Sequence, residues 1–117
     1  MANLGNILRA QRKFAEAEPL FREAMAAYER TRGPAFRSIT EVRVRLGETL
    51  TGLDRFAEAE TELLSVQQAI EKSPEQFQRA RQPNLKALIA LYESWDKAEP
   101  GKDHDASATK WRALLSP

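Results

Sequence analysis

Apolar residues recur along this chain every three or four positions, which predicts helices throughout and no convincing strand. Leu4, Ile7 and Leu8 give a short first helix from about Ala2 to Gln11. Phe14, Ala17, Leu20, Phe21, Ala24 and Tyr28 share one side of a second helix that begins near Lys13, and Gly33-Pro34 is a strong stop signal for it. Pro19 inside that helix predicts a slight bend. A third helix, about Phe36 to Leu53, carries the stripe Ile39, Val42, Leu46, Leu50 and Leu53, with Arg37, Glu41, Val44, Glu48 and Thr51 on the opposite side. The fourth, about Arg55 to Lys72, repeats the second with Phe56, Ala59, Leu63, Val66 and Ile70. Ser73-Pro74-Glu75-Gln76 reads as a capping box with Pro at the first helical position. It opens a fifth helix, Glu75 to Trp95, interrupted or restarted near Pro83. Asp96 to Asp105 reads as a loop, and a last helix from about Ala106 to Leu115 presents Trp111, Leu114 and Leu115.

One phrase in this pattern is written twice. Leu4-Gly5 is followed by Phe14-Ala15-Glu16-Ala17-Glu18, and Leu46-Gly47 by Phe56-Ala57-Glu58-Ala59-Glu60, each residue 42 positions after its counterpart. A fixed period of this length is the signature of a stacked array, which builds an extended surface rather than a closed catalytic pocket. The expectation is one all-α domain over 1–117, divided into repeats at about 1–34, 35–73 and 74–117. The first helix is short for an array and reads as cut, as in a fragment or tail of a longer protein.

Composition narrows the partners. Eighteen Lys and Arg face seventeen Asp and Glu, a net charge of +1, so no global field draws the chain to nucleic acid or an acidic membrane. Cysteine is absent, which excludes disulfides, thiolate metal sites and cysteine catalysis. No apolar run approaches the roughly 20 residues of a membrane span, and the N-terminus lacks the form of a signal peptide. A cytoplasmic location is the expectation.

The doubled phrase resembles the tetratricopeptide repeat, a family with a Leu-Gly pair in the first helix of each unit and small and large residues alternating in the second. Here these are Leu4, Gly5, Leu8, Ala17, Phe21 and Ala24, then Leu46, Gly47, Leu50, Ala59, Leu63 and Val66. The 42-residue spacing is similar to the kinesin-light-chain type of repeat. The third unit is degenerate, with Ile89 in place of Gly and Gly101 in place of Ala. Its Ala90-Leu91-Tyr92-Glu93-Ser94-Trp95 and Trp111-Arg112-Ala113-Leu114-Leu115 resemble the closing repeat of bacterial serine/threonine kinases that carry such arrays. The kinase motifs themselves are absent, so no phosphoryl transfer is expected of this chain.

Other constellations read as structural. His104, between Asp103 and Asp105, is expected in a solvated loop rather than on a metal. Glu16, Glu18, Glu58, Glu60 and Glu62 recur with the repeat and read as the exposed faces of second helices, not catalytic carboxylates. Between Arg30 and Arg45 lie five arginines and one acid. No aromatic is interleaved for base stacking, so Arg37, Glu41, Arg45 and Glu48 read as an ion-pair ladder rather than an RNA site. Trp95 and Trp111, spaced with leucines, are expected to fill the core.

The resemblance implies a right-handed α-solenoid of three helix pairs, about six helices, that binds a protein or peptide without catalysis or cofactor. The family's first helices line a concave groove, which assigns Glu41, Val44, Glu48 and Thr51 to it. The same offsets add Asn6, Arg9, Lys86, Ala90 and Glu93, with Asn3 and Arg45 at its edge. Ala2 and Arg45 depart from the chaperone-type clamp, so capture of a peptide C-terminus is not expected. The competing expectation is a structural element that self-associates, as a homodimer, through an apolar N-terminal end bearing Leu4, Ile7 and Leu8.

Overall fold

The computed structural model describes residues 2–31 and 38–115. Among the described residues six helices follow one another: α1 (Ala2–Ala10), α2 (Phe14–Thr31), α3 (Ser38–Gly52), α4 (Phe56–Lys72), α5 (Pro74–Ala98) and α6 (His104–Leu114). No strand occurs among the described residues, so the all-α expectation holds. The expected stop at Gly33-Pro34, the start at Phe36 and the ladder residue Arg37 lie outside the described residues. Helices pack as α1 on α2, α3 on α4 and α5 on α6, and the pairs join through α2–α3, α4–α5 and α3–α5.

The Leu-Gly phrase is explained by contact across each pair. A Cβ on Gly5 would stand 3.0 Å from the Phe21 ring, and one on Gly47 would overlap the Leu63 side chain. Phe21 and Leu63 are themselves 42 residues apart, so one close approach is made twice. Between the pairs, Phe14 of α2 fills the space where a Cβ on Gly52 of α3 would stand. Ala17 and Ala59 are fully buried in the second helices, where small side chains let backbones approach.

The turns within the first two pairs are also copies. Arg12 (φ 62°) and Asp54 (φ 60°) both take the left-handed conformation. The Lys13 amide donates to Leu8 O and the Arg12 amide to Arg9 O, and Arg55 and Asp54 do the same to Leu50 O and Thr51 O. This is the paired hydrogen-bond closure of a Schellman helix end, here without the usual glycine. The third pair breaks the copy. Helix α5 runs on to Ala98, past the position where the other first helices have turned, and reverses through Gly101 (φ 85°) and Asp103 (φ 65°). Asp96, Lys97 and Ala98, expected in a loop, are helical.

Two prolines are carried inside helices. Pro19 is exposed in α2, and so is Ala15, whose carbonyl loses its partner to the proline and can turn to water. In α5 the interruption expected at Pro83 lies earlier, at Phe77 (φ −114°, ψ 19°).

The interior is a single cluster in which Phe21, Leu46, Leu50, Leu63, Leu85, Leu88 and Leu91 are fully buried. Each such burial is worth about 1.5–3 kcal/mol. Exposed ion pairs contribute about 0–1 kcal/mol, so the array is held by its core. Val44, expected opposite the packing stripe, is 1% exposed. Helix α3 packs against α2, α4 and α5 and therefore has buried sides on both flanks. Asn84 is fully buried as well; its Nδ2 donates to Leu63 O (3.2 Å) and Gln67 Oε1 (3.1 Å), tying α5 to α4.

Several acids expected on outer faces latch repeats together instead. Arg55 Nη1 donates to Glu18 Oε1 across 37 residues, and Arg22 Nε donates to Glu18 Oε2. The Tyr92 hydroxyl donates to Glu60 Oε2 (2.7 Å), and within the second pair Arg43 lies 3.7 Å from Glu62. Only Glu16 and Glu58 of the five are exposed. Burial alone would raise the Glu18 carboxyl, but the hydrogen bonds from Arg22 and Arg55 outweigh it and hold it below its ordinary 4.5. Burial, reinforced by the Glu60 carboxylate, pushes the Tyr92 hydroxyl well above its usual range, so it remains a donor.

Two outcomes follow for stability. Gly47→Ala forces a methyl group onto Leu63 and should cost about 1–3 kcal/mol, against a smaller loss for Gly5→Ala, read by urea denaturation. The Glu18 pair contributes stability above the unfolded carboxyl's pKa, and that contribution disappears as pH falls through the lower folded value. The denaturation midpoint should therefore fall between about pH 5 and pH 3, and Glu18→Gln should fall less over that interval; identical pH curves would remove Glu18 from the acid response.

Candidate functional site

The first helices of the pairs, α1, α3 and α5, share one face, and two adjoining clefts lie along it. One, about 440 Å³, is lined by Asn6 of α1, Phe21 and Tyr28 of α2, Glu41, Val42, Val44 and Arg45 of α3, and Arg79, Ala80 and Pro83 of α5. The other, about 560 Å³, is lined by Arg9 and Ala10 of α1, Glu48, Thr51 and Gly52 of α3, and Ala87, Ala90 and Ser94 of α5, with Arg12, Phe14 and Asp54 from the turns. Among the lining residues of α3, Glu41, Val44, Glu48 and Thr51 step by three or four. That is one helical face about 15 Å long at 1.5 Å per residue.

The sequence-derived candidates divide accordingly. Asn6, Glu41, Val44 and Arg45 line the first cleft, and Arg9, Glu48, Thr51 and Ala90 line the second. Val44 contributes only a sliver of surface because it is packed into the core. The Asn3 side chain lies outside the described residues. Lys86 is exposed and lines neither cleft. Glu93 is turned to the other side of α5, where Arg112 of α6 donates to it. Carrying the 42-residue offset into the third pair thus fails at two of three positions. Helix α5 presents Ala87, Ala90 and Ser94 to the cleft, a face rotated from the one the offset selects.

Charges on this face are organised around Glu48. Arg45 Nη1 donates to Glu48 Oε1 (3.1 Å), and Arg9 Nη1 of α1 lies 3.7 Å from the same oxygen. Of the expected ladder on α3 the Arg45–Glu48 rung is present and Arg37 lies outside the described residues; among the described residues Glu41 pairs with Arg79 of α5, at 3.9 Å. The Thr51 hydroxyl donates to Gly47 O (2.9 Å), which leaves it only acceptor capacity toward a ligand. Arg9 Nε and Asn6 Oδ1, one turn apart on α1, are buried atoms without hydrogen-bond partners.

The aromatic residues belong to packing. Trp95 is stacked between Phe56 (centroids 5.7 Å apart) and His104 (4.1 Å), and its Nε1 donates to Glu99. Trp111 is buried. His104, expected in a solvated loop, is the first residue of α6 and docks that helix onto α5 through Trp95 and Tyr92. Among the described residues no three His, Asp or Glu side chains converge as a metal site, and no helix is long and apolar enough to cross a membrane.

Of the groove residues missed from sequence, Ser94 and Gly52 had a signal, being small residues 42 positions apart at the ends of successive first helices. Arg79 had none, because its place depends on where α5 bends.

Comparison with known proteins agrees with this geometry. The family model of the tetratricopeptide repeat matches residues 1–37, the stretch that holds α1, α2 and the Gly5–Phe21 contact. No curated protein and no solved structure matches the chain significantly. Repeats of this family mediate protein–protein interaction. Residues 1–37 thus match a tetratricopeptide repeat, and the glycine contact and left-handed turn of that helix pair are made again 42 residues later.

Proposed function

We propose that the chain is a non-catalytic binding module that takes a peptide or protein segment along the face of α1, α3 and α5. The observation that carries this is the common lining of one cleft by Arg9, Glu48, Thr51 and Ala90, drawn from all three helix pairs. Side chains from three helix pairs line each of the two clefts, and the open channel they make together suits an extended or helical segment better than a small molecule. Asn6 adds an amide that can pair with a peptide backbone. A cytoplasmic setting suits the absence of cysteine.

The test begins with partners recovered by pull-down and identified by mass spectrometry, followed by titration of a recovered partner. Ala90 is exposed and lines the cleft, so Ala90→Trp should weaken binding tenfold or more while changing stability by only about a few tenths of a kcal/mol. Glu16→Gln, on the exposed side of α2, should change neither. Equal affinity for Ala90→Trp and wild type would move the site off this face.

A second reading rests on α1, where Leu4 is 52% and Ile7 54% exposed. In that reading two copies meet through their first helices. Sedimentation should then show a concentration-dependent dimer that Ile7→Glu abolishes; a monomer at every concentration excludes it.

A further inference from the structure

The centre of the channel carries a charge imbalance. Two guanidinium groups, those of Arg9 and Arg45, share a single oxygen of a single carboxylate, Glu48 Oε1, so among the described residues one positive charge is left without its own counter-ion. The three side chains are 25%, 40% and 30% exposed, half-sheltered but open to an incoming ligand. Arg9 Nε is enclosed without a hydrogen-bond partner, although a guanidinium makes its strongest contacts when two parallel N–H groups meet one carboxylate. At 3.7 Å, Arg9 Nη1 is beyond ordinary hydrogen-bond distance from Glu48, so neither donor is well used. Beyond this triad, Arg12 and Arg79 line the clefts as well, against the acids Glu41 and Asp54.

From this arrangement we propose that Arg9 and Arg45 form an anion subsite of the channel, that Glu48 is its built-in competitor, and that the partner presents a carboxylate side chain there. The inference rests on the reading of the channel as a peptide site and adds the chemistry of the peptide. A bound acidic segment supplies the second carboxylate that two guanidinium groups require. Glu48 makes each arginine costlier to engage, because its own pair must be loosened first. Removing the Glu48 charge should therefore tighten binding, the reverse of what loss of an ordinary contact residue does. Screening by salt should weaken it, since the half-exposed pairs interact over about the 10 Å Debye length of 0.1 M salt.

The probe is a fluorescently labelled octamer of glutamate, acetylated and amidated so that only side-chain carboxylates are offered, with octamers of glutamine and lysine as controls. Beside it, a phage-displayed library of random peptides is selected on the same proteins. Anisotropy titration should show binding of the glutamate octamer alone, tightened about threefold or more in Glu48→Gln and weakened about tenfold in Arg9→Gln and in Arg45→Gln. Circular dichroism establishes that each variant is folded, and the two arginine variants test the subsite independently. Unchanged or weaker binding by Glu48→Gln overturns the proposal. So does a library selection that Ala90→Trp abolishes but that shows no enrichment of acidic residues, which leaves the channel as a peptide site of other chemistry. Selection that survives Ala90→Trp overturns the channel reading itself, and this inference with it.

Discussion

Close approach of two helix backbones is the constraint on which the array depends. Gly5 lies under the Phe21 ring and Gly47 under Leu63, and neither position has room for a Cβ without movement of its partner. Once the paired helices are this near, Ala17 and Ala59 are sealed and the larger side chains fill what remains. The separation between the helices also sets where the next pair can dock. Phe14 reaches across to the backbone at Gly52, and Phe56 reaches α5 by stacking on Trp95. The same link between repeats is thus made first by an aromatic on a glycine and then by an aromatic on an aromatic.

The channel is a by-product of this stacking. Second helices take up most of the bulky contacts with their neighbours, so one side of α1, α3 and α5 is left for other use. That side is not inert. Its arginines lie within ion-pair distance of acids from neighbouring helix pairs, Arg9 of Glu48 and Arg79 of Glu41, which offsets charges that would otherwise repel across the channel. Exposed pairs add little stability, and at 3.7 and 3.9 Å these two leave the guanidinium groups free to turn toward a ligand.

Much of the fold was legible in the sequence because the repeat supplies two independent statements of one unit. Helix positions, the glycine contacts and the burial of Ala59 all follow from matching the two phrases. Errors arose where a residue's surroundings are decided by more than its own helix. A helical projection with one apolar stripe allows one buried side and so puts Val44 on a free face, whereas α3 has neighbours on several sides. Glu18 and Glu60 have outward positions on their helices, yet long side chains from the following repeat reach them. Asn84 and Gln67 satisfy part of each other's polarity inside the core, and single positions carry no trace of such a pairing. In the channel, the offsets select cleft-lining residues on α1 and α3, whose turns are conformational copies, whereas Lys86 and Glu93 on the longer, bent α5 line neither cleft.

Both tryptophans belong to the third pair, Trp95 inside its ring stack and Trp111 against the core. Their fluorescence therefore reports on one end of the array, while far-ultraviolet dichroism sums over every helix. An array in which each pair touches only its neighbours can lose its units one by one. In this chain the two signals form an internal ruler of cooperativity. Coincident transitions mean that the glycine contacts and the acid latches bind three pairs into one unit, and transitions that separate measure how far melting proceeds before it reaches the ring stack.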